Sequence, residues 1–421
     1  MDYSQAMFSK GAGMTTDSLR LHTIALPDQV DFSLLDHLPK NATVFIRQGD
    51  GLVGSGVAAR LSATGPNRIA ELAAKWRALV ASTDVIDEVQ RPGTGLVAFG
   101  SFAFADDSAS ESVLIVPRVI VGTRDGQRWL TRIAGGADEN FWDAPASIST
   151  NEPARFSDGA QSANGFAEAV KKAVSKIASG EFEKVVLARD LHASVEKDFD
   201  LRPALQKFAH RYPTCWTYSV EGLFGASPEL LVRVSHKQVS ARVLAGTAAR
   251  GTDPDVDFAI SSALASSPKN LSEHSFAVAS LVDQLKTFCS AVDADTEPFS
   301  LQLPNLWHLA SDVHGVLNDD ASALDLAAVL HPTAAVAGTP TSTALGVIAE
   351  LEPFDRGRYA GPVGWIGADG DGEWAIALRG ALLQNGLITA YAGCGIVAES
   401  DPASELEETE LKFRPIREAL A

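Results

Sequence analysis

Tyr391-Ala-Gly393-Cys-Gly395-Ile-Val-Ala-Glu-Ser400-Asp401-Pro402, continuing Ala-Ser-Glu405-Leu-Glu-Glu408-Thr-Glu-Leu-Lys412, reads as a glycine-punctuated strand end running into a helix. Ser400 or Asp401 caps that helix, and Pro402 sits in its first turn. Glu405, Glu408 and Lys412 follow at i, i+3 and i+7, so they share one face. The glycines upstream allow backbone N–H groups to approach a ligand closely. Two carboxylates beside such a turn suit a hard cation, Mg²⁺ for example, held against an anionic substrate. A solvated terminal helix with ion-pair rungs is the more ordinary outcome for an acidic helix taken alone, and the rest of the chain decides against it.

Composition sets the outer bounds. The chain has 421 residues, 46% hydrophobic and 21% charged, which is ordinary for a globular protein of one large domain or two to three smaller ones. A net charge of −18 repels nucleic acid and anionic membranes, and no Lys/Arg run offsets it. Any anionic substrate therefore requires local positive groups. The three cysteines, Cys215, Cys289 and Cys394, have neither metal-ligand spacing nor an even count for a disulfide framework. A reducing cytosol is the expected compartment. The first residues lack a basic stretch followed by an apolar core, and no apolar run approaches the ~20 residues that span a bilayer.

Strand-like runs fall at 42–47, 96–99, 112–117 and 119–121, with a helical run near 68–82. The polar stretch from 135 to 163 is the candidate boundary. Asn164 is placed to cap a helix striped by Phe166, Val170, Ala173, Val174 and Ile177, ended by Gly180. A strong strand follows at 182–189. Further strands are expected near 215–220, 229–234, 239–244, 362–367, 373–383 and 387–397, and helices near 254–265, 270–287, 322–330, 341–350 and 402–420. Short turns between neighbouring strands imply antiparallel pairing, hence an α+β class rather than a doubly wound parallel sheet. Gly49-Asp-Gly51-Leu-Val-Gly54 matches a dinucleotide fingerprint, but no helix start follows it. Asp50-Gly51 reads instead as a hairpin turn.

Several residues stand out chemically. Lys184 lies in a largely apolar strand, where desolvation would favour a neutral amine able to act as a base; an edge lysine facing water is the equal alternative. Glu229, where a turn meets an apolar strand, is suited to a raised pKa and proton donation, or else to an ion pair with Arg233 or Arg250. Gly246 and Thr247 end a strand in small residues. Glu273 opens a long helix, as a metal ligand facing Glu408 or only as a helix-dipole partner. His308 reads most simply as a hydrogen-bonded core histidine. Arg379, within an apolar run, needs a planar acidic partner from substrate or protein.

Taken in order, FEKVVLAR, ASPELLVR, LAGTAARG, KNLSEH, WHLASDVHG, LHPTAAVAGTP, EPFDRGRYAGPVGW, ALRGALL and AGCGIVAESDPASELEETELK resemble the blocks of the chorismate-binding enzymes over residues 160–421. GDGLVGSG resembles the isochorismate synthases of that family more loosely. The resemblance implies an anthranilate synthase component I-like α+β fold: two packed antiparallel sheets, outer helices and an active cleft between. Residues 1–155 would form an N-terminal α+β portion of the same fold, and 160–421 the catalytic portion. It also implies Mg²⁺ on Glu273 and Glu408, supported by Glu405. Arg379 and Tyr359 would grip the enolpyruvyl carboxylate, helped by N–H groups near Gly393 and Gly395. Lys412 would lie near the ring carboxylate, Gly246 and Thr247 would line the pocket, and His308 would be the active-site histidine.

Within the family, Lys184 stands where water-using members carry their base. Ala245 stands where aminodeoxychorismate synthases resemble one another in a lysine nucleophile. Ala335 stands where pyruvate-eliminating members carry threonine. Asn270 departs from the acid often found before the metal glutamate. These positions imply isochorismate synthase, with Lys184 activating water and Glu229 protonating the departing hydroxyl. Salicylate synthase and a non-catalytic chorismate-binding protein are the rival readings. A monomeric, cytoplasmic enzyme of menaquinone or siderophore biosynthesis, without nucleic-acid or membrane partners, is the corresponding expectation.

Overall fold

Runs such as Val97–Ser101, Ser112–Val116, Trp216–Val220 and Pro362–Gly367 are buried at every position, so their strands must be covered on both faces. Two large sheets stacked face to face, each with helices outside, meet that requirement. The structure is a computed structural model that describes residues 19–27, 32–134, 148, 151–303, 306–318 and 321–421, without the side chains of Lys269 and Glu273.

A 13-stranded sheet runs from Lys184–Ser194 through Leu387–Ile396, Gly380–Gln384, Leu223–Ser227 and Trp216–Val220 to Thr43–Arg47 and Asp50–Ser55, with further strands at both ends. A 10-stranded sheet runs from Cys289–Ala294 through Leu306–Leu317, Gln238–Ala249, Leu230–Ser235, Gly372–Ile376, Pro362–Gly367 and Val97–Ser101 to Ser112–Val116 and Ala59–Ala63. Their described ladders are antiparallel except one. Arg20–Leu26 and Asp84–Asp87 pair in parallel, across a long connection that holds a helix, as parallel neighbours require.

The helices are α1 (Arg68–Ala81), α2 (Ala163–Ala178), α3 (Arg202–Arg211), α4 (Pro254–Ser266), α5 (Pro268–Leu285), α6 (Ala323–Leu330), α7 (Thr341–Leu351) and α8 (Pro402–Ala419). The 13-stranded sheet is covered by α2, α3, α7 and α8, and the other by α1, α4, α5 and α6. No helix among the described residues is long and apolar enough to cross a membrane.

Some expectations change. Ser162, not Asn164, caps α2, because its side chain accepts from Gly165 N at 3.1 Å. Most of the 135–163 boundary before residue 151 lies outside the described residues, and in each sheet the strands from before it form one block that pairs edge to edge with the strands from after it. The Thr43–Ser55 hairpin turns at Gln48-Gly49, whose φ values of 53° and 87° suit a two-residue turn, rather than at Asp50-Gly51.

The run 373–383 is two strands, not one. Gly372–Ile376 belongs to the 10-stranded sheet and Gly380–Gln384 to the 13-stranded sheet. The chain changes sheets between them, through Arg379 at φ 52°. It does the same between Leu223–Ser227 and Leu230–Ser235, at Pro228-Glu229. The two crossings lie side by side, joined by Ile376 N to Glu229 O at 3.1 Å and Ala226 N to Arg379 O at 3.4 Å. The topology therefore delivers Glu229 and Arg379 together into the gap between the sheets.

Candidate active site

A cavity of about 340 Å³ opens at those crossings. Glu229 is buried there, and burial pushes its carboxyl up to about 7 against the opposing pull of Arg379, Lys184 and Lys412. The ion-pair alternatives fall away: Arg233 lies 3.8 Å from Glu373, and Arg250 pairs with Asp257 at 2.6 Å. The Arg379 guanidinium makes no side-chain hydrogen bond or salt bridge among the described residues, and burial pulls its pKa down. Tyr359 is buried beside it, stacked on Tyr391 at 4.9 Å and 13°. Burial raises its hydroxyl to about 12, so the group is a neutral donor.

Lys184 begins its strand and lines the same cavity as Glu229. It is no edge lysine, since Thr339 and Ile396 flank this end of the strand through Lys184 and Val185. Gly395 gives its side chain room. A Cβ at 395 would stand 2.8 Å from Lys184 Cε and 3.4 Å from Nζ.

The acidic wall comes from α8. Asp401 is its cap, accepting from Ser404 N at 2.9 Å, and Ser400 instead accepts from Val397 N at 3.1 Å. Lys412 Nζ donates to Gly393 O at 2.8 Å and meets Glu408 Oε1 at 2.5 Å. This lysine thus ties the glycine strand to the helix. Burial, with Glu408's charge adding to it, raises the Glu405 carboxyl, while hydrogen bonds from Ser400 and Cys394 lower it. Two neighbouring carboxylates are oxygen donors of the kind that a hard divalent cation takes. Among the described residues no three His, Cys, Asp or Glu side chains converge at ligand spacing. Glu273 lies on α5, but its side chain is outside the described residues.

Gly246 forms a bulge where Gln238–Ala249 pairs with Leu306–Leu317, at φ +82°. The bulge turns Gly246 O and Thr247 Oγ1 towards His308 Nδ1, at 3.3 and 3.1 Å. A carbonyl only accepts, so Nδ1 carries the hydrogen and Nε2 is left as an acceptor. Nε2 is buried and has no hydrogen-bond partner among the described residues. Burial and the nearby Arg379 and Lys412 pull the ring down to about 3, so it is neutral. His308 is both a hydrogen-bonded core histidine and a cavity residue with one nitrogen to offer.

Lys184, Glu229, Gly246, Thr247, His308, Tyr359, Arg379, Gly393, Gly395, Glu405, Glu408 and Lys412 all line this one cavity, together with Ala245, Asn270 and Ala335. What sequence reasoning passed over is the frame around it. Arg356 also lines the cavity and donates to Glu352 Oε1 and Oε2 at 2.6 and 2.8 Å, to Val186 O at 2.7 Å and to Val336 O at 2.9 Å. Glu352 in turn accepts from Ala188 N at 2.7 Å. The pair stitches the strand carrying Lys184 to the segment carrying Ala335.

The fold and this cavity define a class. The family model described as chorismate binding enzyme matches residues 28–421, and the chain belongs to the chorismate-binding enzyme family. It is 32% identical over 366 residues to isochorismate synthase MenF of Bacillus subtilis (strain 168), covering 79% of this chain and 76% of that protein. It is 39% identical over 263 residues to isochorismate synthase DhbC of the same organism, covering 60% of this chain and 66% of that one, just short of two thirds of DhbC. The structure of MenF, the menaquinone-specific isochorismate synthase of Escherichia coli, matches with a TM-score of 0.78 at 24% identity over 96% of this chain and 95% of that one, a likeness of fold.

Proposed function

We propose that this chain is an isochorismate synthase, converting chorismate to isochorismate. The observation that carries the reading is a buried carboxyl holding its proton to about pH 7, in one cavity with the amine of Lys184 and the guanidinium of Arg379, which has no side-chain partner among the described residues. The Lys184 amine accepts a proton as water forms its bond to ring C2. The ring double bond shifts, the C4–oxygen bond breaks, and Glu229 gives its proton to the departing hydroxyl, which leaves as water. Atoms balance, with Lys184 ending protonated and Glu229 ionised. Arg379 and the neutral Tyr359 hydroxyl hold the enolpyruvyl carboxylate, and His308 Nε2 accepts a hydrogen bond within the cavity.

Glu408 and Glu405, with Glu273 from α5, would hold Mg²⁺. Bound there, the ion would offset the ring carboxylate's charge. Ala335 brings no hydroxyl to the lining, which favours stopping at isochorismate over going on to salicylate. Incubation of the purified protein with chorismate and Mg²⁺ tests the reading. Isochorismate as the only product supports it. Accumulating fluorescent salicylate, an ammonia-dependent product, or binding without turnover overturns it.

A further inference from the structure

Arg379 stands at φ 52° where the chain changes sheets, a conformation that carries strain away from glycine and persists only where the surroundings impose it. The direction in which its side chain leaves the backbone follows from that angle. The peptide joining Leu378 to Arg379 is planar, so whatever fixes the Leu378 carbonyl also fixes the N–H of Arg379 and the axis about which φ turns. Residues 377–379 lie between Gly372–Ile376 and Gly380–Gln384, outside both strands. Leu378 N reaches back only two residues, to Ile376 O at 2.8 Å.

The Leu378 carbonyl is held from a different strand. Tyr218 is fully buried in Trp216–Val220, and its hydroxyl donates to Leu378 O at 3.0 Å. The phenol crosses two strands to arrive there. Tyr218 pairs with Gly225, and Gly225 pairs with Gly380, so one row on one face of the sheet offers an aromatic ring and then two bare backbones. A Cβ at 225 would stand 2.6 Å from the tyrosine oxygen, and one at 380 would also meet it. The two glycines thus make the room that lets this hydroxyl reach the arginine's peptide. Tyr218 itself does not line the substrate cavity. Burial pushes its hydroxyl above the ordinary tyrosine range, so the donor keeps its proton.

We propose that Tyr218 is a positioning residue for substrate: its hydroxyl fixes the Leu378–Arg379 peptide and so aims the Arg379 guanidinium into the cavity. The inference rests on the assignment of Arg379 to the enolpyruvyl carboxylate. Tyr218 acts wholly through Arg379 and touches no reacting atom.

Tyr218→Phe keeps the ring and removes one hydroxyl. Its effect is read on chorismate affinity, by calorimetric titration of the Mg²⁺-loaded protein, and on KM and kcat, in the wild-type and Arg379→Ala backgrounds. With Arg379 present, Kd and KM should rise about tenfold, the size of effect of a charge-assisted hydrogen bond thrown out of line. The change in kcat should stay within about twofold, since the carboxylate is held alike in ground and transition states. With Arg379→Ala already made, Tyr218→Phe should move neither Kd nor KM. The urea midpoint should fall in both backgrounds, because the Leu378 carbonyl loses its donor either way. Tyr218→para-aminophenylalanine, which keeps a donor at that place, should hold Kd and KM at wild-type values. Unchanged Kd and KM in Tyr218→Phe, an equal rise on the Arg379→Ala background, a loss confined to kcat, or no rescue by the amino variant overturns the positioning role. A wild type that binds chorismate without turnover overturns the activity instead, and the calorimetric comparison still decides Tyr218.

Discussion

Arg356 and Arg379 line the same cavity and have opposite surroundings. Arg356 is fully engaged, by Glu352 and by the carbonyls of Val186 and Val336. Arg379 has no side-chain partner among the described residues, and its backbone sits at φ 52°, a conformation rare away from glycine. A buried cation whose hydrogen bonds are all met belongs to the frame. One left unmet, beside an acid that keeps its proton and a histidine nitrogen without a donor, waits for something outside the chain. Stability is invested in the first region and withheld from the second.

Removing the chemistry tests the contrast most severely. Lys184→Ala and Glu229→Gln should each lose about 10²–10⁴-fold in turnover while remaining folded; near wild-type turnover in either removes that residue from the mechanism. Next in size is the frame. Arg356→Ala leaves Glu352 buried and uncompensated, and should cost roughly 3–5 kcal/mol in urea unfolding. Arg379→Ala should lose about tenfold to a hundredfold in kcat/KM for chorismate, consistent with ~1.5–3 kcal/mol for a hydrogen bond to a charged group. Its urea midpoint should stay put or rise, and a fall like that of Arg356→Ala would erase the distinction.

The pH dependence is a subtler test. Glu229 has its folded pKa raised from 4.5 to about 7, so the folded state holds the proton more tightly than the unfolded one. Its contribution to stability is therefore fully present below about pH 4.5 and is lost as pH rises to about 7. Wild type should lose stability relative to Glu229→Gln across that window, and parallel curves would contradict the burial argument. Turnover should decline above about pH 7 as the acid ionises. The smallest signal is His308, whose ring resonances should show a neutral Nδ1–H tautomer throughout pH 5–8. A titration near 6.5 would show the ring is not held as described.

Much of the site was legible because its residues break local rules. Lysine in an apolar strand, glutamate at a buried turn and arginine in an apolar run each conflict with their neighbours, and conflicts of this kind collect at functional places. The frame was harder to read because it obeys every rule. Nothing local distinguishes Glu352 and Arg356 from charged residues of an ordinary surface loop, and only tertiary contact shows them buried. The break at Arg379 was missed for a related reason: Gly372–Ile376 and Gly380–Gln384 are both apolar, and periodicity cannot tell that consecutive strands lie in different sheets. The parallel pair of Arg20–Leu26 and Asp84–Asp87 depends on partners some sixty residues apart, beyond any local pattern.

The two seams at which the first strands join the later ones also bear on how the gene can be shortened. Thr43–Arg47 lies against Trp216–Val220, and Val97–Ser101 against Pro362–Gly367. A fragment starting near residue 160 would keep every cavity residue described here and yet bare two apolar strands to water in the middle of its sheets. Raw edges of that kind recruit other chains. Such a truncation should precipitate rather than yield a minimal enzyme, so the portion of the sequence that lines no cavity is as indispensable as the portion that does.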